Sequence, residues 1–234
     1  MKRSLTHLLS VITPARSCAA VFLAAFCLFH SGAASLAQES SASGSDIPPL
    51  NGEDLSDIAR IESYLNAITT MKARFIQMTS TGQTSEGDIL LWRPGRLRID
   101  YDPPSPVVIT SNGVFLVYHD TELDQLSHIP LSSTPAGVLV DEAVSLNNED
   151  MAVTNIRRGA NTLDVTLIQR DDPYAGQITL VFSDRPLRLQ RWVLLDAQGV
   201  TSNFAIIGAQ IGVSFDPALF ITKAAKAAKK PKDR

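Results

Sequence analysis

Residues 87–104 read GDILLWRPGRLRIDYDPP, and this stretch decides the fold class of the chain. Pro94-Gly95 is a turn signal, and the residues on both sides of it alternate between apolar and polar side chains. This pattern predicts a β-hairpin. Three arginines crowd the hairpin, and Trp92, one of two tryptophans, lies beside the turn. Two interpretations remain open at this point, an ordinary solvated turn or part of a site.

The same period of two continues along most of the chain and predicts an antiparallel sheet. Turn signals separate the alternating segments at spacings of about 8–15 residues, which leaves little room for crossover helices. A sheet of roughly ten strands must curl or close. The predicted strands are 72–80, 87–93, 95–101, 106–111, 113–120, 123–129, 161–169, 176–184, 188–196 and 201–208.

An amphipathic helix is predicted ahead of the first strand. Residues 53–69 place apolar side chains at spacings of three and four, which indicates one helix of about four turns. Asn51 or Asp54 is suited to be its N-cap. The apolar face of this helix consists of Leu55, Ile58, Ile61, Leu65 and Ile68.

A second helical segment is predicted in the middle of the chain. Residues 134–155 lack clean alternation. Thr134 is suited to an N-cap and Pro135 to the first helical position, so residues 136–143 are predicted to be helical. Helices that cover the concave face of a curled sheet enclose either a packed core or a cavity, and the pattern leaves both open.

The N-terminal region has the features of a secretory signal peptide. Basic residues precede the apolar run at 18–29, and Ser35 and Ala37 are the small residues that a signal peptidase reads. Cleavage after Ala37 is therefore predicted. Both cysteines, Cys18 and Cys27, lie in the removed segment, so the mature chain is expected to use no thiol for catalysis, disulfides or metal binding.

Charge is distributed unevenly along the chain. The formal net charge is −3, but the last twelve residues hold six cations and one acid, and residues 38–222 carry 12 basic and 23 acidic side chains. An acidic body argues against a nucleic-acid partner. The predicted organisation is a signal peptide at 1–37, a flexible linker at 38–52, one folded domain at 53–222 and a basic disordered tail at 223–234. The tail either solubilises the chain or contacts anionic lipid.

Patterns typical of catalysis and metal binding are weak. The spacing of His119 and His128 fits no metal signature. The sequence shows no nucleophile elbow and no phosphate-binding glycine loop. Asp100 and Asp102 share a strand face and could form a paired-carboxylate site, although acids beside a Pro-Pro turn are more often ordinary surface residues. We therefore predict a protein that is not an enzyme and that uses no cofactor and no metal.

Four segments resemble the LolA-type outer-membrane lipoprotein carriers. They are FIQ (75–77), GDILLWRPGRLRIDYDPP (87–104), ITSNGVFLVYHDTELDQ (109–125) and DAQGVTSNFAI (196–206), in the family's order. The resemblance implies a mainly β fold with α. This fold is a curled, unclosed antiparallel β half-barrel of about ten or eleven strands, with a helical lid over an apolar cavity.

The resemblance also implies roles for individual residues. Arg93 corresponds to the arginine that bonds to the lid and holds the empty carrier closed. Leu97 and Ile99 stand where other members often have aromatic cavity residues. Strand parity places Arg96 and Arg98 on the opposite face, as ordinary solvated or partner-facing cations. The resemblance implies that the poorly periodic segment 134–155 is the lid, with Pro135, Val138, Leu139 and Val140 as lid residues. The implied acyl-chain cavity residues are Phe75, Ile89, Leu91, Leu97, Ile99, Tyr101, Ile109, Leu116, Tyr118, Leu167, Leu180, Phe182, Val193, Phe204 and Ile206.

The function implied by the resemblance is that of a periplasmic chaperone. Such a carrier takes the acyl chains of triacylated lipoproteins from an inner-membrane ABC transporter and delivers them to an outer-membrane acceptor. A monomer is expected. The alternative is an envelope lipid-binding or stress-sensing module with the same half-barrel.

Overall fold

The computed structural model describes residues 47–133 and 135–221. The predicted signal peptide, most of the predicted linker, Thr134 and the basic tail lie outside these residues. Helix α1 spans Gly52–Asn66, and three short 3-10 helices span Leu131–Ser133, Pro135–Leu139 and Pro217–Phe220. The strands are β1 (Thr70–Thr79), β2 (Thr84–Trp92), β3 (Arg96–Tyr101), β4 (Val107–Asn112), β5 (Phe115–Asp120), β6 (Gln125–Pro130), β7 (Met151–Arg158), β8 (Thr162–Gln169), β9 (Gly176–Asp184), β10 (Leu187–Asp196) and β11 (Thr201–Ile211).

The eleven described strands form one antiparallel sheet in the order β6-β5-β4-β3-β2-β1-β11-β10-β9-β8-β7. Strands that follow one another in sequence pair as hairpins, and β1 pairs with β11. Because β6 and β7 do not pair, the sheet keeps two edges and is not closed among the described residues. This architecture confirms the predicted fold class, a mainly β protein with an unclosed antiparallel sheet.

Helix α1 begins at a reciprocal capping box. The Asp54 N–H donates to the Asn51 side chain, and the Asn51 N–H donates to the Asp54 carboxylate, each at 3.0 Å. This confirms the predicted helix and identifies Asn51 as its N-cap. Ile61 and Leu65 are buried in the same apolar cluster as the inner residues of the sheet, whereas Leu55 is 53% exposed.

The structure differs from the predicted helix over 136–143. A short 3-10 helix, Pro135–Leu139, lies there instead, and its backbone is close to that of the preceding 3-10 helix, Leu131–Ser133. A Cβ on Gly137 would lie 2.8 Å from the Leu131 carbonyl oxygen, and the Val140 N–H donates to Gly137 O at 2.9 Å. A hydrogen bond over three residues is the mark of a 3-10 turn. We refer to residues 131–140 as the lid segment.

Strand β7 corrects the assignment of residues 134–155 to the lid. Residues 151–155 belong to β7, at one edge of the sheet. A β-bulge between Val153 and Asn155 shifts the register against β8. Because a bulge inserts an extra residue, it breaks the alternation by which a strand is identified in sequence.

The convex face of the β2–β3 hairpin holds the end of the described chain. The Trp92 ring packs edge-on against Phe220, with centroids 5.7 Å apart, and the Arg96 guanidinium lies 4.3 Å from the centroid of the Trp92 ring. Arg98 donates to Leu219 O at 2.8 Å. The arginines predicted to be solvated therefore contact Trp92 and the last 3-10 helix, and Trp92 acquires a structural role.

The concave face is filled unequally. In the packed half, defined as α1 with β7–β9, the inner side chains of β8 and β9 are at most 2% exposed. Tyr64 of α1 packs edge-on against Phe182. The hollow half, defined as β2–β6 with the lid segment, encloses a cavity instead. The inner residues of β8 and β9 in the packed half are Leu163, Val165, Leu167, Ile178, Leu180 and Phe182.

Candidate ligand-binding cavity

An apolar cavity of about 170 Å³ lies under the lid segment and the C-terminal end of α1. Its lining is almost wholly hydrocarbon, apart from Arg93 and the Tyr101 hydroxyl. The Tyr101 hydroxyl donates to Gln77 Oε1 at 2.7 Å, and burial raises the pKa of Tyr101 to about 12. The lining residues are Leu65, Ile68, Met71, Ile89, Leu91, Arg93, Leu97, Ile99, Tyr101, Ile109, Leu116, Leu131, Leu139, Val140, Leu189, Trp192, Leu194 and Phe204.

The β2–β3 hairpin supplies one wall of the cavity. Its register pairs Ile89 with Ile99 and Leu91 with Leu97. Side chains of paired residues lie on the same face of an antiparallel sheet, and the next pair on that face is two residues further along each strand. The alternation of GDILLW and RLRIDY therefore aims all four aliphatic side chains at one concave surface.

A glycine leaves room for the aromatic end of the cavity. Phe75 of β1 packs edge-on against Tyr101, with centroids 5.2 Å apart. A Cβ on Gly87 would lie 2.7 Å from Phe75 Cε1 and 2.1 Å from Asp100 O. Only glycine fits between this ring and the neighbouring strand, so Gly87 fixes the position of the rings that bound the cavity.

Strand β10 supplies a second wall through a β-bulge. The register against β9 shifts between Leu189 and Arg191, so Trp192 follows Leu189 on the inner face. The Leu189 N–H at the bulge donates to the Tyr64 hydroxyl at 3.1 Å. Trp192 stacks on Phe204 with centroids 5.3 Å apart. The bulge thus brings a large ring onto the cavity wall.

Arg93 joins three elements at the rim of the cavity. Its Nε donates to Leu139 O of the lid segment at 3.0 Å. Its Nη1 donates to Ile68 O at 3.2 Å and also to Leu65 O at the end of α1. The hairpin backbone adds a further bond, from the Gly95 N–H to Val140 O at 2.8 Å. The arginine is 9% exposed.

The electrostatics of Arg93 favour carbonyl partners. The C-terminal end of a helix carries partial negative charge, which suits a cation there. Burial lowers the pKa of Arg93, and the charge of Asp141 acts in the opposite direction. An arginine remains charged in proteins under all ordinary conditions. The buried charge is therefore compensated mainly by backbone oxygens, which a fixed fork of donors can bridge.

The structure brings about half of the predicted cavity residues together. Ile89, Leu91, Leu97, Ile99, Tyr101, Ile109, Leu116 and Phe204 line the cavity, with Leu139 and Val140 of the predicted lid and with Arg93. Val138 is buried in the main core, and the side chain of Pro135 lies outside the described part of the chain.

The other predicted cavity residues lie elsewhere. Leu167, Leu180 and Phe182 are fully buried core residues of the packed half, in one cluster with the apolar face of α1 and Val138 of the lid segment. Phe75 and Ile206 pack beside the cavity without lining it. Tyr118 shares a face with Ile109 but is 38% exposed. Val193 lies on the opposite face of β10, since the bulge reverses the parity there.

Sequence reasoning missed lining residues of three kinds. Leu65 and Ile68 come from the predicted helical face, which is not among the predicted cavity residues. Met71 precedes the predicted start of the first strand, and Leu131 follows the sixth. Trp192 and Leu194 were assigned to the wrong face, and the only signal for them was the second tryptophan itself.

The described residues show neither a membrane-crossing helix nor a metal site. Among them, none of the helices is both long and apolar enough to cross a bilayer. No group of three His, Cys, Asp or Glu side chains in residues 47–133 and 135–221 is arranged to hold a metal ion.

The fold and the cavity define a class of protein, an unclosed antiparallel sheet that encloses an apolar cavity beneath the lid segment and the end of α1. The family model described as "Outer membrane lipoprotein carrier protein LolA" matches residues 66–223, so the chain belongs to the LolA family. Carriers of this family are periplasmic chaperones and not enzymes.

The chain is also similar to individual relatives and to a solved structure. The chain is 27% identical to an outer-membrane lipoprotein carrier protein of Pseudomonas aeruginosa over 179 residues, which cover 73% of this chain and 85% of the relative. A carrier of the same name from Azotobacter vinelandii is 27% identical over 176 residues, covering 71% and 84%. The crystal structure of a LolA superfamily protein from Nitrosomonas europaea aligns with a TM-score of 0.41 at 11% identity, covering 71% of this chain and 98% of that one.

Proposed function

We propose that this protein carries lipoproteins by enclosing their acyl chains in the apolar cavity. In this proposal the cargo is triacylated, an inner-membrane ABC transporter loads the carrier in the periplasm, and an outer-membrane acceptor receives the cargo. The observation that carries the proposal is the cavity itself, whose wall is hydrocarbon on nearly every side. The family and the named relatives support the same role.

The size of the cavity implies that the lid segment moves when cargo binds. An engineered apolar cavity of about 150 Å³ holds one benzene molecule, and the cavity here is about 170 Å³. An acyl chain of about sixteen carbons is several times longer than benzene. The described conformation is therefore a closed form, and the acyl chains take the place of Leu139 and Val140 against the wall.

The contacts of the lid segment suggest how it moves. The flank that follows it is tied to α1, since the Asn66 side chain bonds both the N–H (2.7 Å) and the carbonyl (3.0 Å) of Val144. Leu146 N–H donates to Glu62 at 2.7 Å. The lid segment itself is held to the hairpin by Arg93 and by the Gly95 N–H. Opening breaks the second set of bonds and leaves the first intact.

The burial energy of acyl chains explains why a carrier needs bonds that hold the lid segment closed. We call the Arg93 bonds to the lid segment and to α1 the latch. Burial of an acyl chain contributes roughly 0.8 kcal/mol per CH₂, or on the order of 12 kcal/mol for sixteen carbons. Two or three chains would exceed any affinity from which cargo could be released. The loss of the Arg93 bonds on opening offsets part of this energy, and their return drives release.

The direct test is to identify what the mature protein carries. Protein purified from the periplasm under native conditions is expected to yield triacylated peptides by mass spectrometry. Leu97→Gln, on the cavity wall, should reduce the yield, and Leu123→Gln, at a residue that is 64% exposed, serves as the matched control. Recovery of a different lipid would replace the carrier proposal by the lipid-binding or sensing alternative.

A further inference from the structure

The two edges of the sheet differ in how their backbone groups are satisfied. A free edge strand is a template for pairing with another strand, and proteins usually protect it with charge, a bulge or a covering segment. Among the described residues, β7 is protected along its length and β6 only at its Pro130 end. The difference points to a use for β6.

The edge at β7 is protected along its length. At its start, the Met151 N–H donates to Asn148 Oδ1 at 2.7 Å, and Met151 O accepts from the Asn148 N–H at 3.0 Å. In its middle, the bulge between Val153 and Asn155 interrupts the ladder. At its end, Arg158 forms ion pairs with the acids of α1. A further strand would therefore meet occupied groups, a kink and a charge.

Among the described residues the edge at β6 is protected only at its end, where Pro130 lacks an N–H and the Ser133 hydroxyl donates to Pro130 O at 2.8 Å. Its residues read QLSHIP (125–130) and include no Lys, Arg, Asp or Glu. The register against β5 runs without a shift. Among the described residues, no other strand pairs with its outer side. Five of its six residues are exposed.

The hydrogen-bonding register shows which groups are free. The Leu131 N–H donates to Val114 O at 2.9 Å, at the end of the β5–β6 ladder. Bonded pairs alternate in an antiparallel ladder, so Leu126 and His128 direct their N–H and C=O groups outward. Pro130 also lies on this outer side, where its missing N–H costs nothing. The outer side of β6 thus offers two donors to an added strand.

The free edge lies beside the mouth of the cavity. Leu131 directly follows β6 and lines the cavity, and so does Leu116, which pairs with Ile129 of β6. Ile129 and Val114 are 46% and 62% exposed and lie opposite Leu116 and Leu131, on the cavity face of the sheet, where they form an apolar rim. A chain that leaves the cavity at this rim meets the edge of β6 at once.

We propose that the free edge of β6 pairs with the extended peptide that follows the acylated end of the cargo, which adds a twelfth strand to the sheet. This inference rests on the proposed function, because it places the acyl chains in the cavity. Pairing through backbone groups is indifferent to side chains, which suits a carrier of many cargo sequences. Each ladder bond contributes about two- to tenfold in affinity, so the contact remains weak enough to release.

A second copy of this chain is a poorer occupant of the same edge. Two six-residue strands bury far less than the roughly 1,200 Å² that a stable protein interface needs. A tethered peptide requires no such area, because the bound acyl chains raise its local concentration beside β6.

The experiment compares two synthetic ligands. The long ligand is a tripalmitoylated cysteine followed by about eight Ser, Asn and Ala residues, and the short ligand ends as a methyl amide after the cysteine. Affinities are measured by displacement of a fluorescent lipid from the full mature chain. His128→Pro removes an outward N–H, and His128→Ala removes the same ring but keeps the N–H, so the ratio between these variants isolates the donor.

The expected result is that His128→Pro binds the long ligand about two- to tenfold more weakly than His128→Ala does, with no such ratio for the short ligand. Equal ratios for both ligands would overturn the inference but leave the carrier function standing. Failure of both ligands to bind the unmodified protein would overturn the proposed function, and the inference with it. Dimerisation through β6 would assign the edge to a second copy.

A measurement on the unmodified protein keeps the inference testable if His128→Pro does not fold. A long ligand methylated on alternate backbone nitrogens presents no donors on one side. It should bind more weakly than its parent, and only the parent should slow hydrogen exchange at Leu126 and His128. Equal affinity and equal exchange for the two peptides would exclude strand addition.

Discussion

The packed half and the hollow half are built from the same sheet but are covered by different structures. Helix α1 contributes a regular apolar face to the packed half, where Ile61 lies in one buried cluster with Leu180 and Phe182 and Tyr64 packs edge-on against Phe182. The lid segment consists of short 3-10 turns, which present fewer side chains per unit length. Its residues Leu131, Leu139 and Val140 line, with the inner residues of β2–β5, a space of about 170 Å³ that remains unfilled. The regular face of α1 therefore packs into a core in one half, whereas the short, irregular lid segment leaves a cavity in the other.

The largest expected effect is a difference between the two halves in the free energy of unfolding that is lost when a buried leucine is truncated. Leu180→Ala should lower the free energy of unfolding by about 3–5 kcal/mol, because a fully buried leucine leaves a cavity in rigid surroundings. Leu97→Ala enlarges a space that already exists and should cost about 1 kcal/mol. Urea denaturation measures both values. Equal losses would show that the hollow half is packed as tightly as the other.

The next largest effect concerns Gly87, whose missing side chain leaves room for the Phe75 ring beside the cavity. Gly87→Ala should cost about 1–3 kcal/mol, because its Cβ would overlap Asp100 O and the Phe75 ring. Gly52→Ala, where a Cβ meets nothing within 4 Å, is the matched control. Thermal unfolding of both variants gives the comparison. A neutral Gly87→Ala would mean that the ring is free to move.

Arg93→Leu should act on the hollow half and on the end of α1 that borders it. Loss of its bonds to Leu139 O and to the end of α1 should lower stability by about 2 kcal/mol and populate the open lid. Hydrogen exchange at Gly95 and Val140 should accelerate, while exchange in β8 and β9 stays unchanged. Arg96→Leu, a change of the same kind that leaves the lid segment untouched, is the control. If hydrogen exchange at the Gly95 amide is unchanged, Arg93 does not hold the lid segment closed.

The smallest effect is the loss of stability at low pH that depends on Asp54, at the start of α1 in the packed half. The Asn51 N–H, and then Arg158, lower the pKa of Asp54 below its usual value. A carboxyl group with a lowered folded pKa contributes stability above its unfolded pKa of about 3.9, and this is lost as pH falls through the folded value. Asp54→Asn should therefore show less loss of stability than the unmodified protein between pH 5 and 2. Parallel curves in urea titrations across this range would contradict the assignment.

The hairpin shows how far sequence reasoning reaches. The alternation in GDILLW and RLRIDY was enough to place Ile89, Leu91, Leu97 and Ile99 on one face, because no bulge interrupts β2 and β3. The same reasoning placed Val193 on that face and Trp192 off it. It was wrong there because the bulge near Leu189 reverses the parity, and a bulge leaves no reliable mark in a single sequence.

The sequence by itself determined the helix with its Asn51 cap, the antiparallel meander and the apolar face of each regular strand. These features depend on neighbours two to four residues apart, whose spacing is written in the chain. Only the tertiary structure decided which part of that apolar face became core and which became cavity. That choice depends on what lies above each strand, and α1, the lid segment and Arg93 come together there only through contacts between residues far apart in sequence.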